Sequence, residues 1–236
     1  MLDRAYHRRS PRHWAALALV IPASLCSPSW ADEPAAADAK TPQTASDLPA
    51  PPPIQTRYIQ YGVALAANNI VNAGDVCPKN ASAPCILGSG GGLAIRVGYR
   101  GPENWYFGGT YELSRLSSSN LLRLPILQQL RAETRFETTR RTRTVPYFAA
   151  GLGVAAYGNE WGADTAGFTA MAGAGLALQL SRASLVGVGL SYRPLLLRRW
   201  TDGAGQRRAD GPGGFGLAHT ITLEITFEIR SALSRW

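Results

Sequence analysis

From position 221 to 229 the chain alternates without a break. Ile221, Leu223, Ile225, Phe227 and Ile229 fall on one side, and Thr222, Glu224, Thr226 and Glu228 on the other. Successive side chains of a strand point to opposite faces, so this segment predicts a strand with one greasy and one ionisable face. The same rhythm recurs upstream at 57–66, 91–100, 104–113, 129–138, 146–156, 167–180 and 184–193, and the last strand spans about 218–230. That predicts eight strands, each close to the roughly 9–11 residues that cross a bilayer at a tilt. No segment predicts a helix in this region.

The connections alternate too. Long ones at about 67–90, 114–128, 157–165 and 194–216 are separated by short ones at 101–103, 139–143 and 181–183. Up-and-down barrels of the outer membrane carry long external loops and short periplasmic turns, whereas a soluble sandwich has no reason to segregate them.

Everything then turns on which face is wet. The polar face carries Arg96, Arg100, Glu112, Arg131, Glu133, Arg135, Glu137, Arg193, Glu224 and Glu228, interspersed with Gly and Ala. An eight-stranded barrel is only wide enough inside to be filled by side chains, so small residues would make room there for paired Arg and Glu. The opposite face would then meet lipid. Tyr99, Trp105 and Phe107 gather near one short turn, and Tyr147 and Phe148 near another, as expected of rings at a membrane boundary. A soluble lipid-binding barrel, with greasy face inward, is the reverse arrangement.

Composition adds compartment and partner class. No run approaches the roughly 18 apolar residues of a membrane helix. The start of the chain has Arg4, Arg8, Arg9 and Arg12, an apolar stretch at 15–25, and Ser29-Trp30-Ala31. This is the layout of a secretory signal peptide at 1–31, cleaved after Ala31. A lipoprotein signal at Cys26 would want a small residue before the cysteine, where Leu25 stands. Residues 32–56, rich in Pro and Ala, read as a disordered periplasmic linker, leaving 57–236 for the barrel. Loss of four Arg and one Asp with the signal lowers the net charge from +8 to +5. That charge is almost wholly Arg, since Lys40 and Lys79 are the only lysines. Export, with no basic helix and no aromatic base platform, argues against nucleic acid.

Cys77 and Cys85 survive processing and predict a small disulfide-closed loop. No His stands near them and the spacing fits no zinc pattern, so a metal is the weaker reading. Neither 88–92 nor 211–216, though rich in Gly, leads into a helix as a phosphate loop would.

By strand count, loop rhythm and facing, residues 57–230 resemble a small outer-membrane β-barrel of the OmpA/OmpX type. The resemblance implies outer-membrane lipid, lipopolysaccharide and the barrel-assembly machinery as partners, a Gram-negative outer membrane as location, and no cofactor. It also implies a terminal aromatic behind apolar residues at every second position. Trp236 is such a residue, but Ser234, Ala232 and Arg230 break the alternation behind it, so Phe227 is the expected end of the assembly signal. Arg198, Arg199, Arg207 and Arg208 in the last long loop are candidate contacts to lipopolysaccharide phosphates, since guanidinium groups suit phosphate.

Some barrels of this size are lipid A-modifying enzymes, which would pair a His with a Ser and a carboxylate. The mature chain holds one His, His219, with no Ser in a recognisable relation to it. The expectation is a non-enzymatic barrel for envelope integrity, surface interaction or adhesion. A narrow pore or small-hydrophobe conduit, a lipid A-modifying enzyme and a soluble lipocalin-like binder stay open, as does the oligomeric state.

Overall fold

The structure is a computed structural model, and it describes residues 57–77, 84–139 and 142–233. The signal segment, the linker and Trp236 lie outside the described residues. Eight long strands close on themselves: β1 (Tyr58–Asn72), β2 (Gly90–Arg100), β3 (Trp105–Leu116), β4 (Pro125–Glu137), β5 (Thr144–Asn159), β6 (Thr165–Gln179), β7 (Ser184–Arg198) and β10 (Phe215–Ala232). A ribbon of β8 (Trp200–Thr201) and β9 (Arg207–Arg208) sits inside the last long loop. Each long strand runs antiparallel to its neighbours in sequence, and β10 returns beside β1 with Tyr58 opposite Ala232. Closure leaves no edge, so backbone groups pair within the wall, as an apolar surrounding demands.

Facing follows the alternation. Val63, Leu65, Ile95, Phe107, Leu130, Phe148, Leu152, Phe168, Leu190, Ile225 and Phe227 are all exposed on the outside, while the Arg and Glu of the same strands are buried inside, save Arg115 and Arg198 at the long-loop end. This inverts the soluble pattern and makes the chain an eight-stranded transmembrane β-barrel.

Two features depart from the alternation. The strands run on past their expected ends, mostly at the long-loop end: β1 continues beyond 66 to Asn72, and β7 beyond 193 to Arg198. Ladder hydrogen bonds persist there although the facing rule changes. On these extensions the inner positions turn apolar, and Leu116, Leu127, Tyr157, Leu195, Leu197 and Ala218 are buried. They pack with Val76, Ile86 and Leu87 of the first long loop and with Trp200 and Ala209 of the last. The result is a small soluble-type core plugging one mouth. A reading based on lipid-facing periodicity stops where that inversion begins.

The plug is strapped in place. Cys77 and Cys85 form a disulfide with Cα atoms 5.1 Å apart, closing the segment between Val76 and Ile86. Tyr157 Oη donates to Ile86 O at 2.5 Å, and Arg208 Nη1 donates to Pro84 O at 3.2 Å. The bridged residues are 8 apart in sequence, and cross-linking so short a loop removes unfolded-state entropy equivalent to about 2–3 kcal/mol. A Cys77→Ser, Cys85→Ser variant is therefore expected to unfold at a lower denaturant midpoint while keeping its far-ultraviolet strand signal.

The second departure concerns aromatic rings. Tyr147 does not join Phe148 at the outer boundary: it is buried inside, as is Tyr106. Strand parity requires this, since Phe148 faces out and its neighbour must face in.

Candidate functional site

The interior is a continuous lattice of charge. Glu112 on β3 is its best-enclosed acid, buried with Arg131 and Arg193. Its Oε2 accepts from Arg193 Nη1 at 2.6 Å and Arg131 Nη2 at 3.0 Å, while Oε1 accepts from Asn68 at 3.0 Å and Ser114 at 2.8 Å. Arg193 passes the chain to Glu224 at 2.5 Å, and Glu224 to Arg96 at 3.0 Å. Arg96 lies 3.3 Å from Glu133, which accepts from Arg135 Nε at 2.6 Å. Arg135 continues to Glu228 at 2.8 Å, and Glu228 accepts from Gln60 at 2.5 Å. Gln60 in turn accepts from Arg100 and Arg230, which both meet Glu137. The structure thus brings all ten charged residues of the predicted interior face into one network.

Arg230, Gln60 and Asn68 were not singled out from the sequence. Arg230 is two positions beyond Glu228 and keeps its parity, so the period that found Glu224 and Glu228 also marks Arg230. Its charge interrupts the series running back from Trp236 because that series has the parity of the inner face, not of the lipid-facing one.

Room for the lattice comes from β5 and β6, whose inner faces carry small residues. The Tyr147 ring lies where a Cβ on Gly175 would sit, 2.5 Å from both Tyr147 and the Val188 carbonyl. Tyr106 lies over Gly98 and Gly108 in the same way. Both rings flank Arg135, whose guanidinium carbon is 5.3 Å from the Tyr106 centroid and 5.2 Å from that of Tyr147. A Gly175→Ala variant must displace that ring, and overpacking of this kind costs about 1–3 kcal/mol. A lowered unfolding midpoint with unchanged barrel closure is the expected result.

Little space is left. An interior gap bordered by Glu133, Arg135, Ser191 and Glu224 amounts to about 10 Å³, near the volume that admits one water. The apolar plug covers the lattice at the long-loop end. At the other end Val145, Tyr147, Ala177 and Leu185 pack together beside the Arg100–Glu137–Arg230 cluster. A larger hollow of about 570 Å³ opens on the outer face among Phe107, Ala132, Ala150, Leu152 and Ala170.

The remaining candidates sit elsewhere. His219 faces outward, its Nδ1 2.5 Å from Tyr192 Oη with the rings stacked. Arg198, Arg199 and Arg207 are exposed at the long-loop end, and Arg199 pairs with Asp210 at 3.1 Å. Arg208 is a correction to the set of phosphate contacts, because it is buried and committed to Asp202 and Pro84. It sits on the two-residue ribbon whose partner strand turns it inward. Desolvation pushes the Asp202 carboxyl up, but the Gln206 N–H, the Arg208 side chain and the Ala204 N–H outweigh it and hold it below the usual aspartate range. That contribution is present at neutral pH and is lost as acid protonates Asp202. No group of three or more metal-ligating side chains occurs among the described residues.

Fold and facing define the class as a small transmembrane β-barrel with a filled, ion-paired interior. No protein-family model matches the chain, and no curated protein is similar to it in sequence. Among solved structures, Neisserial surface protein A is 14% identical with a TM-score of 0.47, over 75% of this chain and 97% of its own. Outer membrane protein OprG from Pseudomonas aeruginosa is 11% identical with a TM-score of 0.41, over 75% and 94%. Ail, the attachment invasion locus protein of Yersinia pestis, is 12% identical with a TM-score of 0.39, over 75% and 99%. Likeness at this level is one of overall barrel shape, which the strand ladder already establishes on its own.

Proposed function

We propose that this chain is a non-enzymatic integral protein of a Gram-negative outer membrane, delivered by a cleaved signal at 1–31 and closed to ion flow. Its work is done by four long loops held on a rigid barrel, in envelope integrity or surface attachment. The observation that carries the reading is the inverted facing together with an interior filled by paired Arg and Glu under an apolar plug. A packed barrel of eight strands is a support and not a passage, and function on such a scaffold resides in its loops. In that orientation Arg198 and Arg207 lie on the outer side, within reach of lipopolysaccharide phosphates.

Membrane fractionation with gel mobility, boiled against unboiled, tests the location: a membrane-bound chain with a faster unboiled band is expected, and recovery in the soluble fraction would sink the reading. In planar bilayers the reconstituted chain is expected to show no opening events. The outward pairing of His219 with a tyrosine offers no serine to activate. Accordingly, lipid A from cells carrying the chain should have an unaltered mass profile, the same as with a His219→Ala variant.

A further inference from the structure

The two ends of the barrel differ in their exposed charge. At the short-turn end Arg57, Arg143 and Arg182 are exposed, and Glu103 is the one exposed carboxylate among the described residues of that rim, Glu137 being buried. No ion pair among the described residues involves these three arginines. At the opposite end the exposed arginines at 115, 123, 198, 199 and 207 are interspersed with exposed carboxylates at 75, 160, 164 and 210, and two of them pair, Arg123–Glu160 at 3.4 Å and Arg199–Asp210 at 3.1 Å.

Backbone hydrogen bonds join the three arginine-bearing segments into one arc. Gln179 N donates to Arg143 O at 2.8 Å, setting the β4–β5 turn beside the end of β6. Arg230 N donates to Ala183 O at 2.7 Å, setting the β6–β7 turn beside the end of β10. Leu233 N donates to Arg57 O at 2.9 Å, setting that end beside the start of β1. Glu103 lies in the remaining turn, outside the arc. Trp105 stacks on Phe107 and packs on Phe136 with centroids 6.0 and 5.0 Å away, marking the membrane–water boundary at this same end. The arginines therefore stand at headgroup depth.

We propose that this arc is a docking surface for the phosphate headgroups of anionic phospholipid in the adjoining leaflet. Guanidinium groups form forked hydrogen bonds to phosphate oxygens and keep their charge at an interface. An uncompensated arc meets an anionic leaflet favourably and is repelled by nothing in a zwitterionic one except its own desolvation. The surface would anchor the barrel at a fixed depth and angle. The proposal rests on the membrane-spanning reading, and the experiment separates the two.

The full chain is folded into detergent micelles doped with equal amounts of phosphatidylglycerol and phosphatidylcholine, and retained lipids are counted by native mass spectrometry. Phosphatidylglycerol is expected to be retained about fivefold over phosphatidylcholine, with the preference fading at high salt. The variant Arg57→Gln, Arg143→Gln, Arg182→Gln is expected to bring the ratio near one, while Arg123→Gln at the other end, where the guanidinium is already paired with Glu160, leaves it unchanged. Should the triple variant not fold, the three single variants are read in its place, each removing part of the preference. Equal retention of the two lipids by the unmodified chain, or a preference that survives the arc variants or vanishes in the control, overturns the proposal. A chain with no faster unboiled band fails at the earlier step, the membrane reading itself.

Discussion

Replacing Glu112 with alanine should be among the most damaging single changes in this protein. Its carboxylate accepts from Arg131 and Arg193 together, with both guanidiniums and the acid itself almost wholly out of solvent. Among the described residues the interior holds six buried arginines, at 96, 100, 131, 135, 193 and 230, against five glutamates at 112, 133, 137, 224 and 228. It already carries one excess positive charge, and losing Glu112 doubles that excess. Glu224 compensates only in part, since its Oε1 stands 3.9 Å from Arg131, and Arg193 and Arg96 already bind its two oxygens. Removing one partner of a buried pair costs about 3–5 kcal/mol, most of it the stranded charge left behind. The expected result is a guanidinium midpoint lowered by that equivalent, or loss of the faster unboiled band altogether. Adding Arg193→Met to Glu112→Ala should recover part of the loss, because the second change removes a charge the first one stranded. An effect below about 1 kcal/mol for the single change, within the range of surface pairs, would mean that water reaches the lattice and that the interior is not sealed.

The barrel was legible in the sequence because its strongest determinant, two-residue alternation, is also what a lipid boundary imposes. Glu224, Glu228 and the run Arg131, Glu133, Arg135, Glu137 fell on the inner face by parity alone. The plug was not legible for the converse reason. Leu195 and Leu197 follow Arg193 on the same parity, but apolar residues inside an otherwise charged lumen contradict the rule that found the lumen. Their meaning depends on Val76, Ile86 and Trp200, which arrive from loops that periodicity does not describe. Arg208 is a similar case. In sequence it is one more arginine in a basic loop, and only the return of the β8–β9 ribbon sets its guanidinium on Asp202 and against Pro84. Tyr147 shows the opposite failure. Its parity was right for the interior, and proximity to Phe148 in sequence suggested a boundary role that parity forbids.

An arginine at Leu152 is the sharpest test of which solvent surrounds the barrel. Leu152 lies at the middle of β5, paired with Ala132 on one side and Ala170 on the other, and is 71% exposed. Were the outer face wet, a leucine this open would contribute almost nothing, and Leu152→Arg would change stability by no more than about 0.5 kcal/mol. It would even improve solubility. In a bilayer the same position is near the midplane, where an arginine on the lipid face costs about 2–4 kcal/mol. The neighbours sharpen the contrast: Ala132, Ala150 and Ala170 offer no partner, and the one acid bordering the same hollow, Glu133, is already committed to Arg96 and Arg135, leaving only the Thr134 hydroxyl. Equilibrium unfolding of Leu152→Arg from lipid vesicles should therefore show a loss of that size, with Leu152→Ala costing less. A parallel Leu196→Arg change, next to Arg198 at the long-loop end of β7, should cost about 0–1 kcal/mol by the same depth dependence. The gradient between the two positions is what a membrane imposes and a uniform aqueous surface does not. Equal costs at both sites would remove the lipid face on which the fold, the sealed interior and the orientation of the loops all depend.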